Sequence, residues 1–360
     1  MRITFLLSTA NMSGGVRVIS IYAKYLQKAG HTISIVYRPK KTPSFTQKVK
    51  SLLRGRGWPT VKALPPSHID ALNVNKVLLE SVRAANKNDI PDGDVIIATW
   101  WETAEWLKQL PSTKGKKVYF IQHHEIHSHL PIERVKATLR EPSFKQITIA
   151  QWIVDILNKY YHQDNITLVP NGVCTDFFHS PPRGKNSTPT FLIMYSEVLF
   201  KGCDISIQAF EHVKKRYPDI KLYLFSSHKP VRSLPIPEWA EFYYQPSQET
   251  IRSLYSQADA YIFSSRSEGF GLPILEAMAC RTPVIATPTG AAPELLQNGG
   301  GTLLENHDVE KMAECIIKYI EMSNTDWQHL SDSAYTSARA HDWGKSALLF
   351  EKTLINTLNN

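Results

Sequence analysis

Apolar runs of strand length alternate with amphipathic stretches along most of the chain. Residues 3–7 form one such run, and the polar stretch behind it ends on Gly14 and Gly15. Residues 16–29 then carry Val18, Ile19, Tyr22 and Leu26 at helical spacing and stop at Gly30, which predicts a helix. Residues 31–37 read as a second strand, so the chain opens on a strand, glycine loop, helix, strand unit. Further buried strands are predicted at 95–98, 118–121, 191–195, 222–225 and 261–263, with a helix through Ile251, Leu254 and Tyr255. Strands alternating with helices predict parallel, doubly wound sheets. The opening unit lacks the G-x-G-x-x-G pattern and the acid at the second strand that a dinucleotide site would carry.

A length of 360 residues exceeds what one hydrophobic core usually organises, so two domains are expected. His179 to Pro189 is a linker by composition, and residues 190 onward repeat the strand, loop, helix series. No apolar run is long enough for a membrane span, and the first apolar segment is too short for a signal peptide. The four cysteines, Cys174, Cys203, Cys280 and Cys315, have neither metal nor disulfide spacing, which fits a reducing cytosol. Cys280 is expected to pack against the sheet and is given no catalytic role.

Charge is unevenly placed. No acidic residue precedes Asp70, whereas Arg2, Arg17, Lys24, Lys28, Arg38 and a run of lysines and arginines from Lys40 to Lys62 do. Such a segment suits an anionic lipid surface, a phosphorylated acceptor or nucleic acid in preference to a solvated face balanced by acids elsewhere in the fold. Residues 39–68, with Pro43, Gly55, Gly57, Pro59, Pro65 and Pro66, read as a long mobile insertion, in which Trp58 would dip into a lipid interface or cap the domain.

Candidate chemistry collects at strand ends. Trp100, Trp101 and Glu102 follow one strand, and Gln122, His123, His124, Glu125, His127 and His129 follow another. The histidine spacing would serve a metal on a helix, but the run starts directly off a strand. Asp92-Gly93-Asp94 precedes a strand and reads as a turn. The richest stretch follows residues 261–263. Glu268 sits at the mouth of a glycine-rich turn and Glu276 lies one to two turns into the next helix, with Pro273 suited to its first position. Exposed N–H groups of Phe270, Gly271 and Leu272 at the positive helix terminus would seat an anion or polarised hydroxyls. Carboxylates accept hydrogen bonds from paired sugar hydroxyls. An anion cradle between two such acids is what a nucleotide-sugar needs.

The Glu268-x7-Glu276 element resembles the signature of the family 4 retaining glycosyltransferases. Ala277-Met278-Ala279-Cys280, the run from Thr282 to Thr287, Gly290 and Glu294-Leu295-Leu296 extend the resemblance. Val169 to Val173 with Phe177 resembles the family's segment at the end of its first domain. There Cys174 stands in place of the usual aspartate, with Asp176 two residues on. Lys201-Gly202 matches the family's Lys-Gly that clamps the diphosphate, whereas the preceding family arginine falls on Ser196, with Arg266 or Arg17 as compensating cations.

The resemblance implies the GT-B architecture, with two Rossmann-like doubly wound domains facing a central cleft and a C-terminal helix crossing back. Residues 1–178 would form the acceptor side and 179–340 the nucleotide-sugar side. Residues 341–360, with Asp342 and Trp343, would return to the first domain. It implies donor contacts from Gly14, Gly15, Lys201, Phe270, Gly271, Leu272 and Glu276, and a nucleobase near Tyr244 and Gln245. Glu268 would hold the transferred sugar on one side, and His123 or His124 its far side. It also implies a metal-independent reaction without a cofactor. The departing phosphate would act as base for front-face attack by a hydroxyl of a glycan or lipid-linked acceptor.

Gln122 with Glu125 after a strand is similar to transferases that add deoxyhexoses to bacterial surface polysaccharides. A cytoplasmic location follows, peripheral at the inner membrane face, with no nucleic-acid partner expected. Two other readings stay open: a non-catalytic binder of membrane or nucleic acid on the same fold, and a nucleotide-sugar epimerase or hydrolase.

Overall fold

The computed structural model describes residues 1–39, 46, 49, 52 and 66–359. Most of the proposed basic insertion, Trp58 included, lies outside the described residues. The chain divides into two compact units. The first comprises Met1–Thr148, Val154–Val169 and Ala347–Asn360, and the second Ile149–Ile153 and Pro170–Ser346.

Among the described residues the first domain has seven parallel strands: β1 (Arg2–Thr9), β2 (Thr32–Arg38), β3 (Asn75–Leu78), β4 (Val95–Ala98), β5 (Lys116–Ile121), β6 (Lys145–Thr148) and β7 (Ile166–Leu168). Their order across the sheet is β3-β2-β1-β4-β5-β6-β7. The helices α1 (Gly14–Lys28), α2 (Trp101–Lys108), α3 (Ile132–Leu139) and α4 (Gln151–Tyr161) connect them. Helix α1 starts two residues before the apolar spacing predicts, because the Ser13 side chain caps it by accepting the Val16 N–H at 3.5 Å. Strands β1, β4 and β5 are apolar on both faces, as central strands covered on both sides must be.

The second domain repeats the plan with six parallel strands: β8 (Thr190–Met194), β9 (Lys221–Ser226), β10 (Glu241–Tyr244), β11 (Ala260–Phe263), β12 (Val284–Ala286) and β13 (Gly301–Leu303). Their order is β10-β9-β8-β11-β12-β13. Six helices accompany them: α5 (Cys203–Arg216), α6 (Gln248–Gln257), α7 (Leu272–Ala279), α8 (Ala292–Leu296), α9 (Val309–Glu321) and α10 (Asn324–Ala340). The core joins Phe191, Ile193, Phe210, Leu224, Ile262 and Ile316. Helix α11 (Trp343–Asn359) begins in the second unit, and from Ala347 onward it is counted with the first. There Phe350 stacks on Tyr22 of α1 with ring centroids 4.4 Å apart, and Glu351 pairs with His31 at 2.7 Å.

In both sheets the strand order reverses direction beside the first strand of the unit, between β1 and β4 and between β8 and β11. Crossovers leave these neighbours on opposite faces, which opens a crevice at their carboxyl ends. The paired glycines follow β1, Lys201 follows β8 and Glu268 follows β11. Asp92 and Asp94, by contrast, precede β4 and pair with Lys114 at 2.8 Å and Arg2 at 2.9 Å.

Candidate active site

In the second domain two loops meet at the reversal point. Behind β8 the chain makes a short 3-10 turn over Leu199–Lys201 and enters α5 through Gly202, whose φ is +64°. Behind β11 it runs from Ser264 to Gly271, where φ is +99°, and enters α7. The Arg266 and Ser267 N–H groups donate to the Phe200 carbonyl at 2.7 and 3.2 Å. The Ser206 hydroxyl bonds that of Ser264 at 2.7 Å. These bonds fix the two loops to each other, and the Lys201 ammonium pairs with the Glu268 carboxylate. Both side chains keep about a fifth of their surface in solvent (23% and 20%), so the pair is accessible to a ligand.

Glu276 is buried within α7, and the Tyr255 hydroxyl donates to its Oε2 at 3.5 Å. Burial, followed by the charges of Glu276 and Glu268, pushes the Tyr261 phenol far above its ordinary range. Pro273 is the second helical residue, not the first, because Leu272 already has helical geometry. It is tolerated there because the opening N–H groups of a helix have no partner within it. As whole residues Phe270 and Gly271 are buried. The cause is packing against the next loop: the Ala291 N–H donates to the Phe270 carbonyl at 3.0 Å, and a Cβ on Gly290 would stand 3.1 Å from that oxygen.

Ser196, in the position of the family arginine, accepts the Val198 N–H at 3.3 Å. Arg266 is committed elsewhere, to both oxygens of Asp204 at 2.7 Å and to the Leu199 carbonyl at 2.7 Å. The guanidinium holds the Asp204 carboxyl below the usual carboxylate range. It braces the Lys201 turn from behind. At the end of β10, Tyr244 is exposed, and Gln245, at φ +48°, bonds through its N–H to the Ser226 carbonyl at 2.7 Å. Its side-chain amide donates to the Ser227 carbonyl at 3.2 Å.

In the first domain Gly14 and Gly15 open α1, and the Gln122 side chain donates to the Gly15 carbonyl at 3.3 Å. A Cβ on Gly15 would stand 3.5 Å from that amide. The strand end carrying His123 and His124 is thereby tied to the helix start. His123 stacks on His127 at 5.3 Å, and His127 on His129 at 5.7 Å. His124 Nε2 bonds the Tyr161 hydroxyl at 2.7 Å. Burial, then the charges of His127 and Lys136, lowers its pKa. Glu125 is buried with its Oε2 unpartnered, and burial raises its pKa strongly although the Trp101 backbone N–H bonds it. Among the described residues no group of three or more His, Cys, Asp or Glu side chains is arranged to hold a metal ion.

Sequence reasoning missed the contacts that hold these residues. Gln122 was visible as a strand-end amide, but its partner is 107 positions away. Arg266 stood out only as a compensating cation, and Asp204 looks like an ordinary surface charge in the sequence. Trp152, counted with the second unit, donates its indole N–H to the Gly269 carbonyl at 2.9 Å, next to Glu268.

Two Rossmann-like domains, with a lysine and two glutamates at the reversal point of the second, make up the fold and its candidate site. Residues 176–336 match the family model described as Glycosyl transferases group 1. The chain is 38% identical over 99 residues to the O-antigen chain mannosyltransferase RfbU of Salmonella typhimurium, covering 28% of each chain. It is 28% identical over 172 residues to the GDP-mannose-dependent alpha-(1-6)-phosphatidylinositol monomannoside mannosyltransferase of Mycolicibacterium smegmatis, covering 41% of this chain and 45% of that one. The alignments thus span less than half the length of these curated relatives. Among solved structures, Anabaena Alr3699/HepE in complex with UDP and glucose superposes with a TM-score of 0.72 at 16% identity, over 99% of both chains. The family-model match covers less than half of the chain, and the likeness to the solved structure shows the GT-B fold.

Proposed function

We propose that the protein is a retaining glycosyltransferase that moves one sugar from a nucleoside-diphosphate sugar to a hydroxyl of a glycan or lipid-linked acceptor. The observation that carries this reading is the Lys201–Glu268 pair at the reversal point of the second sheet, with Glu276 buried in the adjoining helix. An ammonium has three donors, so Lys201 can keep Glu268 and still bond a phosphate oxygen. Breaking the bond between the anomeric carbon and the phosphate oxygen builds negative charge on the diphosphate. Lys201 and the start of α7 at Phe270, Gly271 and Leu272 stabilise that charge electrostatically. The acceptor oxygen bonds the anomeric carbon on the same face, and its proton passes to the departing phosphate oxygen.

In this reading Glu276 holds ribose hydroxyls, Glu268 holds sugar hydroxyls, and the base lies near Tyr244 and Gln245. GDP-mannose is the first donor to test, since both curated relatives named above are called mannosyltransferases. UDP-glucose is the second, given the ligands of the Anabaena protein. Bacterial surface polysaccharide or glycolipid synthesis at the inner membrane face is the setting we infer, with the basic segment before Asp70 meeting anionic lipid. No helix among the described residues is long and apolar enough to cross a membrane.

Thermal stabilisation by nucleoside diphosphates and their sugar conjugates, followed by nucleotide release with acceptor, tests the proposal. One nucleotide should raise the melting temperature of the wild type and not of Glu276→Ala. Lys201→Ala should lower kcat/KM by about 10²–10³-fold. Binding to anionic vesicles without any nucleotide response would favour the non-catalytic reading, and sugar release or isomerisation without acceptor would favour the hydrolase or epimerase.

A further inference from the structure

A groove of about 530 Å³ opens in the first domain at the amino ends of β5, β6 and β7, against α11. It lies at the opposite end of the strands from the loops described above. Lys116, Lys117, Lys145 and Lys352 line it, and none of its thirteen lining residues is acidic. Lys145 spends its donors on neutral oxygens, the Asn165 side chain at 2.6 Å and the Asn165 carbonyl at 3.2 Å. Lys117 donates to the Lys108 carbonyl at 3.0 Å. The nearest acid acting on Lys117 is Glu141, whose carboxylate is already paired with Lys108 at 2.6 Å. Both half-buried ammonium groups have their pKa lowered, and burial is the cause in each. A half-buried cation without an anion is unfavourable, and an anion entering the groove relieves that cost. The Thr167 hydroxyl lines the same space as a further donor, whereas those of Ser143 and Thr357 already donate to the Glu141 carboxylate and the Thr353 carbonyl.

We propose that this groove is a binding site for a phosphate group, separate from the donor site and independent of the sugar-transfer reading. Lysines bind phosphate as point charges without demanding a bidentate geometry, which suits a mono- or diester alike. The phosphate can belong to a soluble phosphorylated compound or to an anionic phospholipid headgroup. Leu349 lines the groove, and Leu348 and Ile355 of the same helix are exposed beside it, so acyl chains would find apolar surface there.

The test uses full-length Lys201→Ala protein, so that the proposed diphosphate site does not contribute. One arm titrates inorganic phosphate and pyrophosphate calorimetrically. The other floats the protein with phosphatidylglycerol or phosphatidylcholine vesicles. Each is repeated after adding Lys145→Gln/Lys352→Gln and, as a control of equal charge loss, Lys215→Gln/Lys318→Gln, two exposed lysines of the second unit. Binding in at least one arm should weaken by about tenfold or more in the groove variant and stay within about twofold in the control. Binding of the soluble anions assigns a phosphorylated compound, and binding to phosphatidylglycerol vesicles alone assigns the lipid. Absence of binding in both arms, or equal loss in both lysine variants, overturns the proposal. Should the groove variant fail to fold, Lys352→Glu alone serves, since that side chain is exposed.

Discussion

A Cβ on Gly202 would lie 1.8 Å from the carbonyl oxygen of Ser264, closer than any side chain can approach. The turn that presents Lys201 is therefore pressed directly against the end of β11, and the positive φ excludes other residues a second time. Gly202→Ala should cost roughly 2–4 kcal/mol, the sum of left-handed strain and overpacking. Urea unfolding checks this as a lower midpoint at unchanged slope. Lys201 and Glu268 should also lose register, so nucleotide stabilisation should weaken in the same variant.

Phe350 is fully buried between Tyr22 and Phe120, stacked on the first at 4.4 Å and edge-on to the second at 5.3 Å. Phe350→Ala should cost about 3–5 kcal/mol of first-domain stability. If the domains melt separately in calorimetry, only one transition should move.

Glu125 ties stability to pH. Its folded pKa lies above the unfolded value, so its contribution is fully present below about pH 4.5 and is lost as pH rises toward the folded pKa. Glu125→Gln removes that loss. The variant should melt above the wild type at pH 7, and this advantage should vanish near pH 4.

His124 and His127 work in the opposite sense. Burial lowers both folded pKa values, so the unfolded chain takes up protons first as pH falls below about 6.5. Their contribution is present above that pH and lost below it. His124→Gln should flatten the fall in melting temperature between about pH 7 and 5.5. An unchanged slope would mean that the ring is protonated as readily in the fold as outside it.

Cys174 is exposed, whereas Cys203, Cys280 and Cys315 are buried and their thiols are pushed up to about 11, 12 and 11. A thiol reagent at neutral pH should therefore modify Cys174 rapidly in the native protein. The other three should react only after denaturant is added. Cys280→Ala should leave activity intact.

The central strands were legible because fully buried parallel strands are continuous apolar runs, as at 95–98 and 261–263. The edge strands were not. Asn75 to Leu78 carries an asparagine and a lysine, and 166–168 is only half-buried, so their pairing is set by β2 and β6 and not by their own pattern. Within the candidate site, Glu268, Glu276 and Lys201 stood out by spacing and by resemblance. The brace formed by Asp204 and Arg266 did not, since 62 positions separate residues that meet only when β8 and β11 lie side by side. The first helical position of α7 was misplaced by one, within the ordinary looseness of helix ends.

The division of the chain also sets an order of assembly during synthesis. The second unit is almost one continuous segment, Pro170–Ser346, and holds its sheet complete as soon as that segment has left the ribosome. The first unit, though made first, lacks the helix that carries Phe350 until residues 347–360 follow. For that interval Tyr22 and Phe120 have no aromatic cover from α11, and nascent first domains on crowded polysomes expose a patch that can mispair. A ribosome stalled after residue 346 would leave the earlier-made half of the protein as the unfinished one.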